Sequence, residues 1–418
     1  MSREIIVGIV TSFDPNGYFN NGLHQNAFYL YKLFKAVPKV NPLLIYSPAK
    51  VKGEPPPDQS EIFGEPAYCL DLFKEKYHLD ALVFVSQVLP DSYLQSFRKR
   101  GVKMATAIYG NRYVMDQETM CFGHLLPPTE KHQNYANRSL YREDGKVDAT
   151  WISPHFAWQK DYIKHRYKAK DSFICPYIWD PQLLDLKYDQ HPDYKDQSRR
   201  FEKNHPANRN IFCTEPNVNV LKTSLFPLLA SDIAYCQDKE SFGKLSLLNS
   251  RQPVLHNKKL ASYLSTFDIT KDKKVSFVDR YALPTITKDH KMMFHHHFEN
   301  GLNYTLLECA YLGLPVVHNS EFMPELGYYY RRADLTDAAK KIRQAFLHEE
   351  RDDLEEYTKT SFKVLRRFSI HNTANIRGYQ TLLANLLDNK LEVELPEYIV
   401  NLENKLLNDY PYFSSMCE

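Results

Sequence analysis

Residues 297–318 read His297-Phe298-Glu299-Asn300-Gly301-Leu302-Asn303-Tyr304-Thr305-Leu306-Leu307-Glu308-Cys309-Ala310-Tyr311-Leu312-Gly313-Leu314-Pro315-Val316-Val317-His318. The spacing predicts a loop, a short helix and then a buried strand. The helix carries Leu306, Leu307 and Ala310 on an apolar side and stops at Gly313, a residue suited to the left-handed position after a helix end. Leu314-Pro315-Val316-Val317 has the composition of a strand entering the middle of a parallel sheet. Two carboxylates, Glu299 and Glu308, bracket the start of the helix. Unpaired backbone N–H groups and a partial positive charge at a helix N-terminus can hold phosphate. Carboxylates beside such a site commonly read sugar hydroxyls. The combination fits a nucleotide-sugar site on an α/β protein.

Outward from this stretch, the N-terminal half alternates strand and helix. Ile5 to Thr11, Leu43 to Tyr46, Ala81 to Val85, Lys103 to Ile108 and Ala149 to Ile152 read as strands. Leu23 to Ala36, Asp91 to Arg100 and Ala157 to Tyr167 read as helices. Such alternation predicts a parallel doubly wound sheet, with ligands gathering at the carboxyl ends of its strands. Pro55-Pro56-Pro57 reads as a stiff surface excursion. Pro176 to Pro181 is turn chemistry, and Asp185 to Asn208 is polar with little periodicity, which reads as a connection and an irregular loop. The alternation restarts at Ile211-Phe212-Cys213, with Lys222 to Leu229 entering a helix, strands at Leu245 to Leu248 and Val275 to Val278, and helices at Leu260 to Leu264, Leu335 to Leu347 and Asp353 to Phe368. The expected organisation is an N-terminal domain over 1–178, a connection over 179–208, a second domain over 209–390 and a helical segment over 391–418, with Pro396 to Leu407 as helix.

Composition narrows the class. A chain of 418 residues is long enough for two ordinary domains, and 43% hydrophobic with 25% charged residues is globular rather than membrane-spanning or disordered. A net charge of +2 gives no argument for nucleic acid. The seven cysteines include no close Cys-Xaa-Xaa-Cys pair, so neither a disulfide framework nor a zinc site is indicated by them. No apolar run approaches the ~18–20 residues that span a bilayer, and the opening strand lacks the features of a signal peptide. A cytoplasmic protein is the expectation.

The stretch from Glu299 to Val317 resembles the two-glutamate donor motif of retaining GT-B glycosyltransferases of the family-four type: a glutamate, a Gly-containing loop, a Leu-Glu pair, then a Gly-Xaa-Pro and two valines. The resemblance implies two Rossmann-like domains facing a cleft, the first for acceptor and the second for donor, with a C-terminal helix crossing back. It also implies that Glu308 holds the nucleotide ribose and that Glu299 contacts the transferred sugar. The two glutamates here lie one residue farther apart than is usual, so Asn300 occupies the strict register of the first. The chain is similar over most of its length to an uncharacterised bacterial and viral glycosyltransferase-like family, through Asn20-Asn21-Gly22-Leu23-His24-Gln25-Asn26 and His318-Asn319-Ser320.

Glu215-Pro216-Asn217-Val218-Asn219-Val220-Leu221-Lys222-Thr223 follows the first strand of the second half, where a first strand–helix loop meets phosphate. Lys222 offers a compact cation to a diphosphate, the alternative being a solvated lysine in the first turn of a helix. It resembles the lysine of family-four enzymes, although Glu215-Pro216-Asn217 replaces their upstream arginine. Asn217, Gly301, Asn303 and Tyr304 belong to the same expected donor site. Glu308, inside an otherwise apolar helix, requires a partner, and a structural salt bridge is the plainer explanation. Asn21, Gly22, His24 and Gln25 follow the first strand and are candidates for acceptor contacts, as are Tyr109 and Asn111 at the end of a later strand. An Asn-Gly turn that only starts a helix is the alternative for the first group. His295-His296-His297 suggests zinc, but consecutive histidines cannot all face one ion and no Glu-Xaa-Xaa-His accompanies them, so no metal and no cofactor is expected.

These residues point to glycosyl transfer from a nucleotide-sugar co-substrate without metal, Lys222 and the helix N-terminus meeting the charge on the leaving diphosphate, and the family-four resemblance implies retention. The acceptor, whether glycan, lipid, protein or modified DNA base, is not written in the sequence. An epimerase using the same fold and a catalytically silent glycan- or nucleotide-binding module are the alternatives.

Overall fold

Ile5–Thr11 forms β1, an unbroken apolar run whose last five residues are buried, as suits a strand covered on both faces. In the computed structural model, which describes residues 3–13, 22–47, 55–75, 77–85, 89–122, 147–194 and 199–388, the chain divides into two compact units. The first comprises residues 1–183 and 367–418 and the second Leu184–Arg366.

The first unit holds an eight-stranded sheet built from β1, β2 (Val40–Tyr46), β3 (Gln59–Ile62), β4 (Glu65–Cys69), β5 (Ala81–Val85), β6 (Lys103–Ile108), β7 (Ala149–Ile152) and β8 (Asp171–Ile174). Their order is β3-β4-β2-β1-β5-β6-β7-β8, and every pair is parallel except the β3–β4 hairpin at the edge. Leu82, Phe84, Ile108 and Ile152 pack on Phe97, Phe156 and Tyr167 from the crossover segments. The order reverses between β1 and β5, so the loop after β1 leads into the helix Gly22–Lys35 at a switch point.

The second unit contains β9 (Ile211–Cys213), β10 (Leu245–Leu247), β11 (Val275–Phe277), β12 (Met292–His295), β13 (Val316–His318) and β14 (Tyr328–Tyr329). They are parallel in the order β11-β10-β9-β12-β13-β14. Counted along the unit this is 3-2-1-4-5-6, the Rossmann order, whose switch point lies between its first and fourth strands, β9 and β12. All residues of both strands are buried.

Two segments differ from the sequence reading. The polar stretch 185–208 is partly helical: Gln182–Asp189 is an α-helix and Pro192–Tyr194 a 3-10 turn. Leu183 and Leu184 are buried there, and the Tyr188 and Tyr194 hydroxyls both reach Thr287 Oγ1, at 2.8 and 3.1 Å. The helix Thr373–Leu386 belongs to the first unit and not to a second domain running to 390. Its Tyr379 ring packs edge-on against Phe34 and Trp151, and its hydroxyl donates to the Pro176 carbonyl at 2.9 Å. The C-terminal return to the first unit is thus made by this helix; 391–418, with Pro396 to Leu407, lies outside the described residues. No described helix is long and apolar enough to cross a membrane.

Candidate functional site

The helix Tyr304–Tyr311 begins and ends for local reasons. Asn303 is its N-cap, accepting from the Thr305 N–H at 2.8 Å. Gly313, at φ 71°, closes the other end. Its N–H reaches the Ala310 carbonyl and the Leu314 N–H reaches the Cys309 carbonyl, both at 3.0 Å, the paired bonds of a Schellman motif.

The loop after β9 and the loop between β12 and this helix both leave the switch point, and they are joined. The Phe298 N–H donates to the Leu221 carbonyl at 2.9 Å. Glu215 Oε2 lies 2.7 Å from His297 Nε2, and Glu215 Oε1 lies 3.1 Å from His295 Nδ1. These three side chains are at most 2% exposed. Burial raises the Glu215 carboxyl, whereas the two imidazoles, when protonated, oppose this and hold the group below the ordinary carboxylate range. His296 points the other way, as alternation along an extended chain requires. It stacks on Phe226 with centroids 3.9 Å apart, its Nδ1 lies 2.8 Å from the Tyr330 hydroxyl, and burial pushes it down to about 4.

Lys222 is not in a helix: the helix starts at Leu225, and Lys222 sits half-buried in the loop before it. Asn217 causes this. At φ 53° it turns the chain, its N–H donates to the Lys222 carbonyl, and its Oδ1 accepts from the Ser224 N–H at 2.7 Å. The Asn217 side chain is therefore spent on closing the loop. Burial lowers the Lys222 amine, and the neighbouring Glu215 carboxylate opposes that shift.

Across the loop, Asn300 and Glu299 part company. Asn300 is buried, with its carbonyl 2.9 Å from His297 Nδ1, whereas Glu299 is exposed at a left-handed φ of 48°. The Gly301 carbonyl accepts from Ser320 Oγ, and a Cβ on Gly301 would lie 2.8 Å from Phe322. Tyr304 is buried at the helix start. Glu308 is buried and ion-paired, its Oε1 3.0 Å from Lys187 Nζ. Lys187 went unnoticed in the sequence because it lies in the segment taken as irregular. Glu215, His295 and His297 were visible only as a missing arginine and a histidine run; the i, i+2 spacing of the histidines at a strand end was the signal for a shared face.

In the first unit, Asn21 lies outside the described residues. The Gly22 carbonyl accepts from Asn26 Nδ2 at 2.7 Å, His24 Nδ1 is 3.0 Å from Thr11 Oγ1, and His24 and Gln25 are both buried. The Tyr109 hydroxyl meets that of Tyr379 at 3.1 Å. Asn111 Oδ1 accepts from the Val114 N–H and from Gln159 Nε2, so it caps the helix Arg112–Phe122.

Each unit carries a mainly parallel Rossmann-like sheet, and the chain has the GT-B fold. A glycosyltransferase from Rickettsia africae ESF-5 superposes with a TM-score of 0.51 over 93% of this chain and 100% of its own, at 12% identity. The N-terminal domain of trehalose-6-phosphate phosphatase from Candida albicans gives 0.55 over 93% and 98%, at 10% identity. An E. coli trehalose-6-phosphate protein bound with UDP-2-fluoro glucose gives 0.52 over 93% and 100%, at 12% identity. The chain itself belongs to the family described as "Protein of unknown function (DUF2827)", whose model matches residues 7–383. Comparison with curated proteins gives no match.

Proposed function

We propose that this protein is a nucleotide-sugar-dependent glycosyltransferase whose second unit binds the donor. The observation that supports the reading is the union of the two loops at the β9–β12 switch point, where the Phe298 N–H meets the carbonyl of Leu221, the residue before Lys222, in the topology where such folds take phosphate. A neighbour of the same fold is bound with a UDP-sugar, in keeping with this assignment. In this scheme Lys222 and the N-terminus of Tyr304–Tyr311, at Asn303 and Tyr304, meet the negative charge growing on the leaving diphosphate, so the departure itself requires no divalent cation. Glu308, paired with Lys187, accepts from the ribose hydroxyls, and Asn300 or Glu299 orients the sugar. The family-four wording of the motif makes retention the expected stereochemistry. The carboxyl edge of the first sheet, with Gly22 and the residues around Tyr109, takes the acceptor.

Incubation with a panel of UDP-, GDP- and ADP-sugars tests the reading. Release of nucleoside diphosphate with free sugar, or with a glycosylated acceptor, supports transfer. An isomerised donor replaces it with an epimerase, and tight binding of intact donor with no turnover replaces it with a silent binding module.

A further inference from the structure

We propose that Glu215, His295 and His297 form a binding site for a divalent transition-metal ion of the zinc class. One donor atom from each lies within 4.8 Å of the others, and all three side chains are buried. His295 ends β12, and Glu215 and His297 lie in the loops just beyond β9 and β12, adjacent central strands of a parallel sheet that fixes where both loops begin.

Hydrogen bonding within the cluster is incomplete in a way that a cation resolves. Glu215 Oε1, His295 Nδ1 and His295 Nε2 are buried and make no hydrogen bond among the described residues, although Oε1 and Nδ1 face each other at 3.1 Å. Buried polar atoms left so are uncommon and costly. His297 adds a second argument. Its Nδ1 lies 2.9 Å from the Asn300 carbonyl, a group that only accepts, and 3.3 Å from the Asn300 amide nitrogen; the shorter contact places the proton on Nδ1. A neutral ring then presents the Nε2 lone pair to Glu215 Oε2 at 2.7 Å, lone pair against lone pair. A positive charge between them turns repulsion into coordination. An imidazole that ligates through one nitrogen and donates its other N–H to a carbonyl is the usual arrangement at metal sites.

A shared proton would satisfy the Glu215–His297 contact, but it would leave His295 and Oε1 as they are. Two imidazoles and a carboxylate favour zinc, cobalt or iron(II) over magnesium or calcium, which prefer oxygen. Such an ion would tie the β9 loop to the β12 loop from inside the unit. The assignment does not depend on glycosyl transfer, because metal content is read without turnover.

The test uses the full chain with any affinity tag removed. Elemental analysis is run on the protein as purified, then after chelator dialysis and reloading with Zn2+ or Co2+, with the thermal midpoint and the visible Co2+ spectrum recorded. Stoichiometric metal, a raised midpoint and Co2+ bands in the region of low-coordinate N/O ligation are expected. His295→Gln and His297→Gln should lose all three, and His296→Gln, on the opposite face, should keep them. Substoichiometric metal with no shift for Zn2+ or Co2+ would overturn the site. Stoichiometric binding that survives both His295→Gln and His297→Gln would do so too. If those variants fail to fold, the wild-type stoichiometry and Co2+ spectrum decide alone.

Discussion

Lys187 Nζ stands 3.0 Å from Glu308 Oε1, with 13% and 5% of the two side chains exposed, and it reaches there from a helix 121 positions earlier. An acid in the apolar helix Tyr304–Tyr311 is thereby neutralised from the segment 182–189. Removing one partner from a buried pair leaves an uncompensated charge, so Lys187→Met should lower stability by about 3–5 kcal/mol. The double variant Lys187→Met/Glu308→Gln should recover part of that loss. Urea midpoints for wild type, Lys187→Met, Glu308→Gln and the double variant check it; additive effects would mean that the two groups do not interact. If Glu308 also holds ribose, Glu308→Gln weakens nucleoside-diphosphate binding by roughly 1.5–3 kcal/mol in calorimetry on the folded fraction. Lys187→Met, which leaves the carboxylate in place, should weaken it less.

Lys222→Ala removes the cation of the β9 loop while leaving the Asn217 bonds that close it, because those use the Lys222 backbone. The fold should persist, and affinity for UDP or GDP should fall by about 1.5–3 kcal/mol, tenfold or more in Kd. Calorimetry with both nucleotides measures this. Equal affinity in wild type and variant would take Lys222 out of the donor site.

Among the strands readable in advance, Ile5–Thr11, Ala81–Val85, Lys103–Ile108, Ala149–Ile152 and Ile211–Cys213 are apolar and largely buried, whereas Val275–Phe277 was read from composition although it is only half-buried. β12 was not readable, because Met292-Met293-Phe294-His295 runs straight into two more histidines and its length emerges only from pairing with β9 and β13. The β3–β4 hairpin and β8 were missed for a related reason: they lie at the two ends of the sheet and have alternating or mixed burial. For the site, the Lys222 loop was legible as the segment after a strand. The Glu215–His297 contact was not, since it joins residues 82 apart and exists only once the strand order places β9 beside β12. Pairwise charge relationships of this kind are properties of topology, and no local spacing encodes them.

His348 supplies a pH test of the second unit. Its ring is buried against Phe201 and Tyr357, Nδ1 lies 3.0 Å from the Tyr328 hydroxyl, and burial, with Arg351 nearby, pushes it down to about 4. The unfolded chain takes up a proton near pH 6.5 while the folded protein does so near 4, so the stability contribution is present above 6.5 and lost as pH falls between those values. The loss amounts to roughly 3 kcal/mol by pH 4. His290, lowered to about 4 by burial, acts in the same window. His348→Phe should therefore flatten, without abolishing, the fall in urea midpoint between pH 7 and pH 5. It should also cost about 1 kcal/mol at every pH through the Tyr328 hydroxyl. An unaltered slope in the variant would mean that the folded protein accepts the proton as readily as the unfolded one.

Asn300 and Glu299 compete for one role, and their environments separate the outcomes. Asn300 is buried beside His297, with its Nδ2 3.3 Å from His297 Nδ1, while Glu299 is exposed at a left-handed φ of 48°. A group that orients a sugar is effective when its own rotamer is fixed by packing. Asn300→Ala should therefore lower the initial transfer rate more than Glu299→Gln, and neither should change the affinity for bare nucleotide by more than about 0.5 kcal/mol, the usual scatter for a substitution away from the contact. The paired measurement is the transfer rate with saturating donor and the nucleotide Kd, for both variants and for Asn300→Asp, which keeps shape and changes charge. A rate that falls for Glu299→Gln and holds for Asn300→Ala assigns the sugar contact to the exposed glutamate. If both rates stay at the wild-type value, neither side chain touches the transferred sugar, and the loop serves only to start the helix.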